Sequence, residues 1–140
     1  FVIHPPKKKP VGDRFAYLAL QKTYGMTGFD AVSPMYESHS IEGNTVYVKF
    51  TEPLLGGVGH FGKEHAGFEL AGEDRKFYPA KASCGKDRHT IVVQSDSVPS
   101  PVAVRYAFHN YAPVSVFNTY GIPASPFRTD KWELISNQNN

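Results

Sequence analysis

The chain has 140 residues, a formal net charge of +2 and 41% hydrophobic residues, which is enough apolar material for one domain whose core needs neither disulfides nor metal. Its positive charges are few and dispersed, which argues against a nucleic-acid surface. No stretch is long and apolar enough to cross a membrane,. The abundant aromatic, glycine and proline residues favour strands and turns, so we expect a mainly β body.

The single cysteine and the first residues do not identify the cellular compartment of the protein. Cys84 cannot form a disulfide within the chain, so the redox compartment stays open. The chain begins at Phe1 without methionine and without the basic and apolar regions of a signal peptide,. We expect from this start a processed or truncated piece of a longer protein.

The first predicted element is an amphipathic helix from about Pro10 to Tyr24. Its apolar residues recur at the spacing of one helix face, at Val11, Phe15, Leu18 and Ala19,. Proline near the first turn and Gly25 after the last are common start and stop signals. A lone helix of this length is only marginally stable in water, so its apolar face needs a partner surface.

Beyond a linker from Met26 to Ser33, the pattern changes to short β-strands. A hairpin is predicted from residues 35–40 and 45–51, joined by Glu42-Gly43-Asn44,. Further strands are predicted at 67–71, 76–82, 89–94 and 102–108, with turn residues between them,. Pro79 indicates an edge or a bulge in the second of these, and the proline-broken tail is predicted to lie extended over another surface.

These elements predict a mainly β fold, an antiparallel β-sandwich preceded by one α-helix. We place the domain boundary in the linker, so that residues 1–30 form one unit and residues 31–140 form the sandwich with its tail.

His4 is the first candidate for chemistry. Pro5 and Pro6 hold it just before the helix, where a histidine can act as a general base, although an exposed histidine in a turn is the simpler alternative. Serine hydrolases also need an activated serine and donors for the oxyanion. No serine of this chain lies in a Gly-x-Ser-x-Gly turn,, so a base is present without its nucleophile.

The histidine block contains Ile3-His4-Pro5, Lys8, Val11, Arg14 and the run 19–25, and it is followed in order by the segments 67–72, 77–80, 102–108 and 121–130. Together these segments resemble the sialate O-acetylesterase family of SGNH-type hydrolases. The resemblance implies that the chain is the C-terminal portion of a carbohydrate esterase that removes acetyl groups from sialic acid or related sugars. It also implies that His4 is the catalytic histidine and that residues 1–30 end an α/β hydrolase domain.

Two departures from that family limit what the chain can do alone. Many such hydrolases have an aspartate two or three residues before the histidine, where this chain has Val2 and Phe1. The family's serine nucleophile and its glycine and asparagine oxyanion donors come from earlier blocks, which must precede Phe1. We therefore expect the isolated chain to be inactive.

The same resemblance implies the setting in which the chain works. It implies an acetylated carbohydrate as the substrate, bound through a missing hydrolase domain on which this chain packs. It also implies a secreted or periplasmic location. We predict no cofactor, no nucleic-acid partner and no membrane partner.

The glycine-rich loop at 54–62 and the histidines near it suggest two further kinds of site. His60 and His65 match no standard spacing of metal ligands, so we predict no metal site. The loop also lacks the Lys-Ser/Thr of a phosphate loop,. A loop that borders the substrate cleft is the better functional interpretation. His39, His89 and His109 are interpreted as histidines with ordinary protein partners.

Aromatic residues in the second half could form a platform for a sugar, because aromatic rings stack on pyranose rings. They are Tyr106, Phe108, Tyr111, Phe117, Tyr120 and Trp132. Packing in the core or between domains is the favoured interpretation. Arg128 could bind a sugar carboxylate, but we favour an internal ion pair.

A function from another class remains open, that of a non-catalytic carbohydrate-binding or structural β-sandwich whose helix is only a linker. A serine block upstream of Phe1 would favour the esterase. Glycan binding by residues 31–140 alone would favour the binding module.

Overall fold

The computed structural model describes residues 8–29, 31–55, 65–110 and 114–133. Within these ranges, one α-helix, α1 (Lys9–Lys22), precedes eight β-strands. The strands are β1 (Tyr36–Glu42), β2 (Thr45–Phe50), β3 (Phe68–Ala71), β4 (Phe77–Pro79), β5 (Lys81–Cys84), β6 (Thr90–Gln94), β7 (Ala103–Tyr106) and β8 (Phe127–Arg128).

The strands form two antiparallel sheets of four, in the orders β1-β2-β6-β5 and β4-β3-β7-β8. The core lies between them. Val46, Val48 and Phe50 point inward from β2 and are fully buried, as the alternation of that strand predicts. Leu70 and Val104 face them from the second sheet and are also fully buried. The prediction of a mainly β sandwich preceded by one helix is confirmed.

The prediction of one strand over residues 76–82 was wrong, because this segment contributes to two strands. Its first part, β4, pairs with β3, and its second part, β5, pairs with β6 in the other sheet. Pro79 ends β4 because proline has no N–H to continue the ladder. The chain crosses between the sheets at Ala80, whose backbone N–H donates to the Phe68 carbonyl at 3.0 Å.

The C-terminal tail contributes a strand that the sequence pattern did not indicate. β8 pairs with β7, with Phe127 opposite Tyr106. The Phe127 ring lies in the core, stacked 4.9 Å from the Tyr36 ring. Through β8 and Phe127, the tail packs on the sandwich itself.

Helix α1 forms close to the predicted range but is not covered by the sandwich. None of its residues is buried, and on its apolar stripe Val11 is 42% and Phe15 69% exposed. In the described part of the chain, no helix has the length and apolar character that a membrane span needs. The boundary between residues 1–30 and 31–140 stays a prediction.

Candidate functional site

The predicted catalytic residue, His4, lies outside the described residues, so its role stays a prediction. The helix that follows it is described, and it forms one wall of a groove. The groove runs between α1 and a turn near the C-terminus and has a volume of about 420 Å³. Its lining residues are Pro10, Asp13, Arg14, Tyr17, Phe29, Tyr120, Gly121 and Ile122.

The helix turns two different faces to its surroundings. Successive residues of an α-helix are about 100° apart, so the groove residues Asp13, Arg14 and Tyr17 share one side of α1. Val11 and Phe15 are displaced from that side by about a quarter turn or more. The predicted apolar stripe therefore does not line the groove, which is bordered by a mixed aromatic and charged face.

Aromatic packing holds the helix side of the groove. The ring of Tyr17 lies 5.7 Å from the ring of Phe29. One turn further along the helix, the Gln21 side-chain amide donates to the Phe29 carbonyl at 3.3 Å. These two contacts connect α1 to the segment that leads into the sandwich.

The opposite wall is a turn braced by one buried side chain. The Asn118 side-chain oxygen accepts hydrogen bonds from the backbone N–H groups of Tyr120 at 3.0 Å and Ile122 at 2.8 Å. Its amide nitrogen donates to the Val32 carbonyl at 3.2 Å. Gly121 has φ +76°, a left-handed conformation that glycine adopts without strain. This wall is therefore fixed before any ligand binds.

The charges along the groove are not balanced. The Asp13 carboxylate accepts a 2.6 Å hydrogen bond from the Lys9 ammonium, and this bond and the attraction between the two charges raise the pKa of Lys9. Arg14 is exposed, and among the described residues its guanidinium has no ion-pair or hydrogen-bond partner. Among the described residues of the groove, Arg14 is therefore the charged side chain without a partner.

A second polar cluster lies at one end of the sandwich, where His65 meets Cys84. The two ring nitrogens of His65 lie 2.9 Å from the Ser115 carbonyl oxygen and 3.2 Å from the Cys84 sulfur. Since the carbonyl can only accept, Nδ1 carries the proton and Nε2 accepts from the thiol. Burial raises the pKa of the Cys84 thiol, which keeps it protonated at neutral pH.

The remaining described histidines have protein partners. His39 Nδ1 lies 2.7 Å from the Tyr36 hydroxyl, His89 Nδ1 lies 3.2 Å from the Phe50 carbonyl oxygen, and His109 lies 2.7 Å from the Glu69 carboxylate. His60 falls outside the described residues. Across the described part of the chain, no group of three or more histidine, cysteine, aspartate or glutamate side chains could hold a metal ion.

The aromatic residues named as a possible sugar platform do not form one surface. Tyr106 is fully buried in the core, and Trp132 packs against Phe77 with 5.7 Å between ring centroids. Tyr120, which is 56% exposed, lines the groove instead. Tyr111 is outside the described residues.

Arg128 and Arg105 share one carboxylate. Arg105 donates two hydrogen bonds of 2.8 Å to Asp130, and its guanidinium lies 3.7 Å from the centroid of the Phe77 ring. Arg128 lies 3.8 Å from the same carboxylate, and its buried Nη1 makes no hydrogen bond. The hydrogen bonds and charge of Arg105, with a smaller contribution from Arg128, lower the pKa of Asp130. Arg128 is thus the outer member of an internal ion-pair group.

The same arrangement of helix and sandwich occurs in a solved structure. A carbohydrate acetylesterase from Xanthomonas citri is 36% identical to this chain, with a TM-score of 0.78, over 94% of this chain. The chain is thus related to part of a carbohydrate acetylesterase. It spans 30% of the length of that acetylesterase. No protein-family model matches the chain, and no curated protein matches it.

Most residues of the groove could not be recognised as a site from the sequence. In the sequence, Arg14 belongs to the histidine block, and no motif points to Asp13, Tyr17 or Phe29 as site residues. The helical spacing of Asp13, Arg14 and Tyr17 was a usable signal, because it places a charged pair and an aromatic ring on one face. The opposite wall could not be foreseen, since Tyr120 reaches it only through the return of the C-terminal tail.

Proposed function

We propose that this chain is the C-terminal part of a carbohydrate O-acetylesterase of the sialate O-acetylesterase type, which hydrolyses acetyl esters on sialic acid or related sugars. The observation that carries the proposal is the 36% identity to a carbohydrate acetylesterase across 94% of the chain. The resemblance of the histidine block to the sialate O-acetylesterases supports the finer assignment.

His4 is the general base of the proposed reaction. It takes the proton of a serine hydroxyl as the serine oxygen attacks the acetyl carbonyl, and it gives that proton to the departing sugar hydroxyl. Water then attacks the acetyl-enzyme with the same histidine as base and releases acetate. The serine and the oxyanion donors are supplied by another part of the parent protein.

The exposed stripe of α1 supports the proposal that another part of the parent protein packs on this chain and completes the active site. Val11 and Phe15 are displayed to solvent on a helix with no buried residue, although a helix of this length needs a packed apolar face for stability. We assign this stripe to the contact with the hydrolase part of the parent protein. A helix that served only as a linker would have no use for such a face.

The test is made in the longer protein. The coding sequence upstream of Phe1 should encode a serine nucleophile block, and its absence would rule out the esterase. In that protein, His4→Ala should lower the turnover of an acetylated sugar by several orders of magnitude, the scale of losing a triad member. The matched control is His109→Ala, which removes an exposed histidine whose ion-pair partner among the described residues is Glu69, and it should leave turnover unchanged. Near-normal activity of His4→Ala would show that the assignment is wrong.

A further inference from the structure

Given the proposed function, on which this inference rests, we infer that the groove between α1 and the Tyr120–Ile122 turn binds a sugar ring that carries a carboxylate. Arg14 binds the carboxylate, and Tyr17 and Tyr120 contact the ring from opposite walls. The groove is a separate subsite for part of the substrate, and its residues take no part in the proton transfers.

The size and shape of the groove suit a sugar. Its volume of about 420 Å³ falls within the range of small-molecule sites. One wall is the helix and the other is the turn held by Asn118. A preformed wall lowers the cost of ordering the site when a ligand binds.

The aromatic lining provides the apolar contacts that a sugar ring needs. Tyr17 is 48% and Tyr120 56% exposed, so both rings keep free surface, and Phe29 packs against Tyr17. Tyrosine combines an apolar ring with a hydroxyl that can donate and accept. Two such rings across a groove suit a flat ligand with hydroxyl groups at its rim.

The charge of the groove selects an acidic sugar. Asp13 pairs with Lys9 through its Oδ2 oxygen, and among the described residues it makes no ion pair with Arg14. The Arg14 guanidinium, without a partner among the described residues, has the planar donor geometry that binds a carboxylate through two hydrogen bonds. A neutral sugar would offer the Arg14 guanidinium no opposite charge.

The direct test is binding to the 140-residue chain, measured by isothermal titration calorimetry. N-acetylneuraminic acid is the probe, and its methyl ester is the matched ligand that differs by the loss of the negative charge. The acid should bind about tenfold more tightly than the ester, the scale of one charge-assisted contact. Arg14→Gln should remove this preference and leave binding of the ester unchanged, while Lys86→Gln, in a distant turn, should change neither. Equal affinity for acid and ester, an intact preference in Arg14→Gln, or no binding of either ligand would overturn the inference.

A second measurement distinguishes a sugar from a polypeptide as the occupant. In the longer protein, Tyr17 and Tyr120 should react with the nitrating reagent tetranitromethane and be protected by N-acetylneuraminic acid. If both tyrosines resist nitration when no sugar is present, the hydrolase part fills the groove and the inference is wrong.

The failure of this inference can be told from a failure of the proposed function. The ester p-nitrophenyl acetate carries neither a sugar nor a carboxylate, so its hydrolysis by the longer protein should depend on His4 and not on Arg14. If that hydrolysis is normal and the preference for the acidic sugar is absent, the assignment of the groove as a sugar site is wrong and the esterase proposal stands. If hydrolysis is absent, the esterase itself is in question.

Discussion

The guanidinium of Arg105 donates two parallel hydrogen bonds of 2.8 Å to Asp130, whose side chain has no exposed surface. Removing one member of such a pair leaves a buried charge without compensation. Asp130→Asn should therefore lower the free energy of unfolding by about 3 kcal/mol, measured by urea denaturation. Asp96→Asn is the control, because its carboxylate lies on the surface 3.9 Å from Lys81 and should change nothing measurable. An equally small effect of Asp130→Asn would show that the buried pair contributes no net stability.

The same carboxylate should make stability depend on acid. Because Arg105 lowers the pKa of Asp130 below its ordinary value of 3.8, the contribution of the pair is present above that value and is lost as the pH falls through the lower folded-state pKa. Acidification from about pH 6 to about pH 3 should therefore destabilise the native chain more than the Asp130→Asn chain. Urea midpoints at the two pH values measure the difference, and an identical acid loss in both chains would contradict it.

Tyr106 should stabilise the fold through its hydroxyl as well as its ring. This fully buried oxygen accepts hydrogen bonds from the backbone N–H groups of Ser115 at 3.1 Å and Val116 at 3.0 Å. Tyr106→Phe leaves both donors without their partner, at a cost of about 2 kcal/mol of unfolding free energy. Tyr47→Phe is the control on a half-buried strand position. Equal effects of the two substitutions would show that the hydroxyl is dispensable.

The Cys84 thiol should react slowly in the folded chain. Burial raises its pKa, and the thiolate is the reactive form, so reaction with 5,5′-dithiobis(2-nitrobenzoic acid) at neutral pH should be much slower than in the urea-unfolded chain. The rate in the folded chain should rise with pH in the alkaline range. A native rate equal to the unfolded rate would contradict the half-buried, protonated state.

Phe15 should matter to the longer protein and not to this chain. Its ring is 69% exposed on α1, so Phe15→Ser should change the unfolding free energy of the 140-residue chain by no more than about 0.5 kcal/mol. In the longer protein, the same change should lower the thermal midpoint, because the proposed contact with the hydrolase part would bury the ring. Met35→Ser, which changes another exposed apolar side chain (50% exposed) outside the helix, is the control. Unchanged stability of the longer protein would remove this stripe from the proposed interface.

The amino-acid sequence by itself determined the local elements of this protein. The alternation of Val46, Val48 and Phe50 predicted both a strand and its buried face, because successive side chains of a strand point to opposite sides. The turn at Gly43 followed from the need for a residue that tolerates positive φ, which is 61° there,. Helical spacing and a following glycine placed α1 within about two residues of its observed ends.

Only the tertiary structure decided which segments meet. Nothing local to residues 76–82 shows that β4 and β5 belong to different sheets, since strand pairing depends on partners far away in the chain. The pairing of β8 with β7, the partners of His65 and the meeting of Tyr17 with Tyr120 across the groove are long-range relationships of the same kind. Spacing alone placed Arg14 on a helix face, but the returning tail turned that face into one wall of a groove.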